Sequence, residues 1–332
     1  MLKKLFTSSF LPFWFFHIPI FPYFLFLSLK RKSLSFFTNV NPNIYTGGFV
    51  SSSKVDAFKG IAQNYIPKFI LLSENKLDKI EKELNNQKIK YPFILKPNKG
   101  ERGIGVIKVN NRDELINKLN NITSDIIIQE FIDHPLEFGI LYYKHPKTGE
   151  DGISSITKKE FPFVLGDGKS SLKTLVTNKY KNSNFENINC QNLNQVLNKA
   201  EHFALEYIAH RNKKCVFKNF NFLNSKKLVE TFRNITSNMD SFHFGRFDVK
   251  VKSIEDLIDD NNIKILEVNG VNSQPIHIFD PSYSTYKCYK DLHEHWRLIY
   301  KISKQNVTKG YQPIKTKYLI REIVNKYKNE KD

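Results

Sequence analysis

The stretch FILKPNKGERGIGV, residues 93–106, decides how the rest of the chain is read. An apolar run, Phe93-Ile94-Leu95, ends in Lys96-Pro97, and Gly100, Gly103 and Gly105 follow within eight residues. A strand that ends in a lysine and hands over to a loop with few side chains suits a ligand approached by backbone N–H groups, because glycine lets the main chain come close. The loop is not a Walker loop, since no Gly-Lys-Ser/Thr follows at that spacing. Glycine-rich loops are common, so the surroundings must say what the lysine is delivered to.

Working outward, the pattern alternates strand pairs with helices. KFILL (68–72) reads as a strand and SENKLDKIEKELNNQ (73–87) as a helix, with Ser73 as N-cap candidate and Leu77, Ile80 and Leu84 at helical spacing. Strands are expected over 91–97, 105–109, 125–132, 137–146 and 152–164, with a helix at 111–121. Gly166-Asp167-Gly168 reads as a turn. Residues 170–212 read mostly as helix, LNQVLNKAEHFALEYIAHR most clearly, and 226–239 as another helix. Two adjacent strands, FHFGRFDVKV and IKILEVNG, close the pattern. The order gives an α+β or layered α/β arrangement, not a run of βαβ units.

The last two strands carry chemistry. Asp248 lies between apolar Phe247 and Val249. Glu267 and Asn269 are two apart on the next strand and therefore share a face. Two carboxylates and an amide oxygen are hard ligands of the kind that Mg²⁺ takes together with phosphate and water. Arg246, two residues from Asp248, shares that face and suits a phosphate or a developing anion. Either strand alone is better explained by a solvated charged face. Both together, with apolar residues alternating around the polar ones, favour a site.

Composition bounds the rest. The 332 residues carry a net charge of +18, which favours an anionic partner, although lysine is abundant throughout. No tight basic cluster with interleaved aromatics points to nucleic acid. The three cysteines, Cys190, Cys215 and Cys288, lie far apart, which argues against a disulfide framework or zinc site and fits a reducing cytoplasm. Residues 10–32, FLPFWFFHIPIFPYFLFLSLKRK, are aromatic and apolar but interrupted by Pro12, Pro19 and Pro22. Three readings stay open for them: a spanning anchor, a segment lying in the membrane interface, or a buried or dimer-forming element. A signal peptide finds no small-residue cleavage site, since the run ends in Lys30-Arg31-Lys32.

Taken in order, YPFILKPNKGERGIGV, IIIQEFIDHPLEFGI and GRFDVKV…ILEVNGVNSQP resemble the successive signatures of the ATP-grasp superfamily, over about residues 54–280. The resemblance is closest to carboxylate–amine ligases of the D-alanine–D-alanine ligase and cyanophycin/glutathione synthetase kind. KKEFPFVLGDGKSSLKTLV (158–176) is similar to a segment of the latter. It implies an α+β fold with two lobes clamping ATP: an aromatic-rich segment at 1–50, an N-terminal lobe at 51–130, a C-terminal lobe with the metal site at 131–305, and a basic tail at 306–332.

The same resemblance implies roles. Lys96 contacts the phosphates, with Lys54 as an earlier nucleotide lysine. Lys99, Gly100, Arg102, Gly103 and Gly105 form a lid. Gln129, Glu130, Phe131 and Ile132 form the adenine-reading hinge, Glu137 holds the ribose, and Lys159 or its neighbour Lys158 reaches a phosphate. Asp248, Glu267 and Asn269 bind Mg²⁺, with Mn²⁺ as a substitute. Arg246 and Lys96 support catalysis. The implied reaction joins a small-molecule or peptide-like carboxylate to an amine through an acyl phosphate, in the cytoplasm or at the inner face of the membrane. The alternatives are an ATP-grasp kinase or phosphotransferase, and a non-catalytic membrane-associated nucleotide-binding protein. A homodimer stays open. About fifty residues precede Lys54, where such ligases carry a larger acceptor-holding lobe, so the acceptor stays unnamed.

Overall fold

The computed structural model describes residues 17–72, 76–100, 103–119, 125–180, 192–205 and 215–329. It is α+β. Eleven strands fall into three antiparallel sheets among the described residues.

The first sheet has the order β1-β4-β2-β3, from β1 (Phe69–Leu72), β2 (Phe93–Pro97), β3 (Ile107–Val109) and β4 (Ile126–Glu130). Alternation sets its faces. Phe93 and Leu95 turn into a core with Ile80 and Leu84 of one helix and Leu115 and Leu119 of another. Ile94 and Lys96 turn the other way. The first of these helices covers Leu77–Asn86, shorter than the sequence suggested; Lys76 stands at its N-cap and its side chain does not cap the helix, and Ser73 lies outside the described residues. The second helix covers Arg112–Leu119.

The second sheet has the order β11-β10-β5-β6-β9, from β5 (Leu136–Lys144), β6 (Asp151–Glu160), β9 (Val216–Asn219), β10 (Phe244–Val251) and β11 (Lys264–Asn269). Its apolar face presents Phe138, Ile140, Tyr142, Phe247, Val249 and Val251 to the amphipathic helix Lys226–Ile235, which docks through Leu228, Phe232 and Ile235. The opposite face is divided. One end carries Glu137, Gly139, Lys159, Asp248 and Lys250. The other end, with Leu141, Tyr143 and Phe244, is covered by the N- and C-terminal helices.

Those terminal elements pack together. The helix Phe21–Arg31 and the helix Thr285–Thr308 meet through Phe24 and Trp296, whose rings stand edge to face at 4.9 Å. The region 306–332, expected as a tail, carries a helix over Thr316–Asn329 whose Leu319 is buried in the same cluster. Pro19 and Pro22 do not interrupt a helix here. Each sits in the first positions of an element, where proline costs nothing because that N–H has no helical partner. No described helix is long and apolar enough to cross a membrane.

The third sheet pairs β7 (Phe163–Leu165) with β8 (His202–Ala204), beside the helix Leu172–Lys179. This corrects the reading of 170–212. Among the described residues only Leu172–Lys179 is helical; residues 192–201 form turns and bridges, and His202–Ala204 is a strand. The apolar spacing there serves a small cluster, with Leu197 and Leu205 packed on Leu172 and Val176. Cys215 and Cys288 are free and buried, and Cys190 lies outside the described residues.

Candidate functional site

The two larger sheets face each other across a solvent-open cleft that encloses about 890 Å³ of empty space. Lys96 crosses it. Its ammonium donates to Gln129 Oε1 at 2.8 Å and to the Leu266 carbonyl at 3.0 Å. Asp248 pairs with Glu267 and Val249 with Ile265, so Leu266 is an extra residue in β11, the edge strand of its sheet. Burial pushes the Lys96 ammonium down to about 8; Glu267 works against this and Lys54 with it. Lys54 lies 3.8 Å from Glu267 Oε1 and donates to the Gly100 carbonyl at 2.6 Å. Asn98 ties the two segments, accepting from the Ser53 hydroxyl at 3.1 Å and the Val55 N–H at 3.2 Å.

Strand register builds the opposite wall. Glu137 stands opposite Lys159 on one side and Lys250 on the other. One step along, Gly139, Asp248 and Glu267 line up. One step further, Arg246 stands opposite Asn269. Directly opposed residues share a face, so these three rows make one polar surface. Lys159 lies 2.9 Å from Glu137 and 3.2 Å from Asp248. Arg246 grips Asp248 with Nε at 2.8 Å and a second nitrogen at 3.2 Å. Burial alone would raise the Asp248 carboxyl, but Arg246 and Lys159 overcome it and hold it at about 2. Burial likewise opposes the charge on Lys159, yet Asp248 and Glu137 raise it above the usual lysine range.

The cleft lining gathers Lys54, Lys96, Gly100, Gly103, Gln129, Glu130, Phe131, Ile132, Glu137, Lys159, Asp248 and Glu267. Lys158 turns away and pairs with Glu160 at 3.3 Å. Lys99 is exposed and does not line the cleft. Gly105 does not line it either. It sits at φ +71°, where a Cβ would stand 2.9 Å from Pro97 Cγ, so glycine is required for the loop to fold back on the strand. Arg246 and Asn269 occupy the row beyond the lining, and Arg102 lies outside the described residues. His243 and His277 are both off the cleft lining; His277 is buried between Ser155 at 2.7 Å and Asp291 at 2.9 Å.

Sequence reading missed Lys250, Leu266, Ile94, Ile104 and Val106, all of which line the cleft. Lys250 was within reach of the argument that found Asp248, being two residues on along the same face. It donates to the Ile132 carbonyl at 3.0 Å and fixes the hinge segment. Lys108 stands 4.1 Å over the Phe131 ring from the other side.

The sequence model of the RimK-like ATP-grasp domain family matches residues 51–138, the span that carries Lys54, Lys96, the glycine loop and the hinge. The match to the ATP-grasp family covers that span alone. Several solved structures are similar to the chain. The VanG D-Ala:D-Ser ligase of Enterococcus faecalis shares 16% identity over 74% of this chain and 61% of its own, at a TM-score of 0.41. D-alanine–D-alanine ligase of Bacillus anthracis shares 15% over 79% and 69%, at 0.43. The bifunctional glutathione synthetase of Pasteurella multocida shares 13% over 73% of this chain but 34% of its own, at 0.35. The chain thus spans less than two thirds of the first and about a third of the last. No curated protein matches the sequence.

Proposed function

We propose that this ATP-grasp protein is an ATP-dependent ligase that joins a carboxylate to an amine or similar nucleophile, with ATP held between the two sheets. One observation carries the reading. Lys96, delivered by the small sheet, meets the backbone of β11 one residue before Glu267, so a buried lysine and a carboxylate row converge on one cleft.

Each part then has work that its surroundings suit. Ile94, Ile104, Val106 and Leu266 offer apolar walls for a base. Glu130, Phe131 and Ile132 offer hinge backbone groups, and Glu137 a carboxylate for ribose hydroxyls. Lys54, Lys96 and Lys159 offer cations for phosphate oxygens. Gln129 supports the fit independently, because its Nε2 is buried beside the cleft without a partner and needs an acceptor.

Asp248, Glu267 and Asn269 supply two carboxylates and one amide oxygen on one face. Among the described residues no three His, Cys, Asp or Glu side chains gather as a ready-made metal cage. The set fits Mg²⁺ completed by phosphate oxygens and water, as that ion prefers. When bound there, Mg²⁺ would neutralise phosphate charge.

In the proposed reaction an acceptor carboxylate oxygen attacks the γ-phosphorus, the bond to the β-phosphate oxygen breaks, and ADP leaves. The amine then attacks the acyl phosphate carbonyl, phosphate departs, and the nitrogen loses a proton. Lys96 and Lys159 offset charge on the transferred group, and Arg246 offsets the oxyanion on the carbonyl. No protein nucleophile is required; positioning and charge carry the step.

An acceptor screen for ADP release, with ATP and Mg²⁺, tests the reading. ADP formation that needs both a carboxylate and an amine, with equal release of phosphate, is expected. ADP formed with one acceptor alone and a stable phosphorylated product would make the protein a kinase. Absence of nucleotide binding would remove the enzyme reading altogether.

A further inference from the structure

The helix Phe21–Arg31 is apolar on both sides. A surface helix ordinarily turns polar residues to water. Here Leu27 and Ser28 are buried against the body, with Tyr23 and Phe24 half-buried. At about 3.6 residues per turn, Phe21, Leu25 and Leu29 line the opposite arc, continued backward by Ile18 and flanked by Phe26. These are open to solvent: Ile18 is 51% exposed, Phe21 55%, Phe26 49% and Leu29 77%. Pro19 and Pro22 are exposed beside them, and no charged side chain interrupts the arc before Lys30.

Charge singles out one kind of surface. The sequence has no Asp or Glu before Asp56, whereas Lys30, Arg31 and Lys32 close the helix. Lys30 Nζ stands 4.4 Å over the Phe26 ring, so its ammonium borders the apolar arc. That is how a lysine behaves where an apolar layer meets polar headgroups. An apolar aromatic stripe bordered by cations, with no acidic residue near it in sequence, matches an anionic bilayer surface.

We propose that the exposed arc of Phe21–Arg31 docks this protein on an anionic membrane, lying in the plane of the interface. The helix has 11 residues, about 16 Å, too short to span a bilayer of about 30 Å and long enough to lie on one. Its inner face stays bonded to Trp296 and Phe36, so docking holds the ATP-grasp body at a fixed attitude to the membrane. A second copy of the chain would cover the same stripe but would leave the cation cluster without a partner.

Co-sedimentation of the full chain with vesicles tests this. Binding is expected to vesicles of phosphatidylcholine with phosphatidylglycerol, and salt is expected to release it. Phosphatidylcholine alone is expected to bind far more weakly. Leu25→Glu with Leu29→Glu should abolish binding. Neutralising the exposed Lys30 and Lys32 to glutamine should weaken it on the order of thirtyfold. These side chains lie outside the core, so melting temperature and nucleotide binding should not change, and the outcome is independent of the ligase reading. Failure to bind anionic vesicles, or binding that the glutamate pair leaves intact, would overturn the proposal. So would a dimer dissociated by that pair without vesicle binding. Binding that appears only after removal of residues 1–16 would also overturn it, since that segment would then be the occupant.

Discussion

Lys159 and Asp248 stand 3.2 Å apart although their strands do not pair. β5 runs between β6 and β10, and at the crossing point it carries Gly139. A Cβ there would lie 3.2 Å from Arg246 Cδ and Ile276 Cδ1 and 3.4 Å from Asp248 Oδ1. The missing side chain is what lets charges from two separated strands meet. Gly139→Val places two further methyls into that row. Overpacking of this kind costs roughly 1–3 kcal/mol. A lowered melting temperature is expected together with loss of ADP formation. A variant with native activity would show that the row is not where the chemistry occurs.

Asp248→Asn tests the charge itself. Arg246 and Lys159 would keep their buried positions with no full counter-charge between them. Breaking a buried pair from one side costs roughly 3–5 kcal/mol. The sign with pH follows from the Asp248 carboxyl, held at about 2 against 3.8 unfolded. Its stabilisation is complete above the unfolded value and is lost as pH falls toward about 2. Urea unfolding of both proteins should show a large gap at neutral pH that narrows on acidification. A gap independent of pH would assign the loss to packing.

Lys96 titrates the other way. Its ammonium is held at about 8 against 10.5 unfolded, mainly by burial. The cost of burying its charge is felt fully below about 8 and is relieved as pH rises toward 10.5. An anionic triphosphate favours the charged form, so ATP binding in this interval should draw in a proton. Calorimetry in buffers of different ionisation enthalpy reads this directly. Uptake is expected in the wild type between about 8 and 10.5 and is expected to vanish in Lys96→Gln. Equal heats in all buffers would place the phosphates elsewhere.

Part of this site is legible in strand periodicity alone, whereas Lys96, Gln129, Glu137 and Lys159 are legible only through the resemblance. Asp248, Glu267 and Asn269 come together because each is two residues from its neighbour on a face or directly across a ladder. Lys96 and Gln129 likewise lie on one face of the small sheet. What stayed hidden depends on breaks in that periodicity. The bulge at Leu266 has no local signature, and the carbonyl that Lys96 uses lies at it. Residues 192–205 carry helical spacing but are taken up by turns and a short strand, because Leu197 and Leu205 are drawn into a small local core. The prolines at 19 and 22 read as helix breakers and prove to be helix starters, a distinction set by the capping of each element rather than by composition.

Gln129 offers the sharpest separate check on Lys96. The amide carbonyl neutralises nothing, so it binds the ammonium at 2.8 Å without holding its proton. Gln129→Glu keeps the size and the contact but adds a negative charge where burial is the chief force lowering the lysine. The ammonium should then stay charged well above about 8 in the free protein. Nothing would remain for ATP to protonate, and the buffer dependence of the binding heat near that pH should disappear while nucleotide is still bound. The carboxylate also removes the buried, unpartnered Nε2 donor, which relieves a desolvation cost of roughly 1–3 kcal/mol in the protein without nucleotide. A higher melting temperature without ligand is therefore expected alongside the lost proton uptake. Persistence of the uptake in Gln129→Glu would mean that a group other than Lys96 takes up the proton.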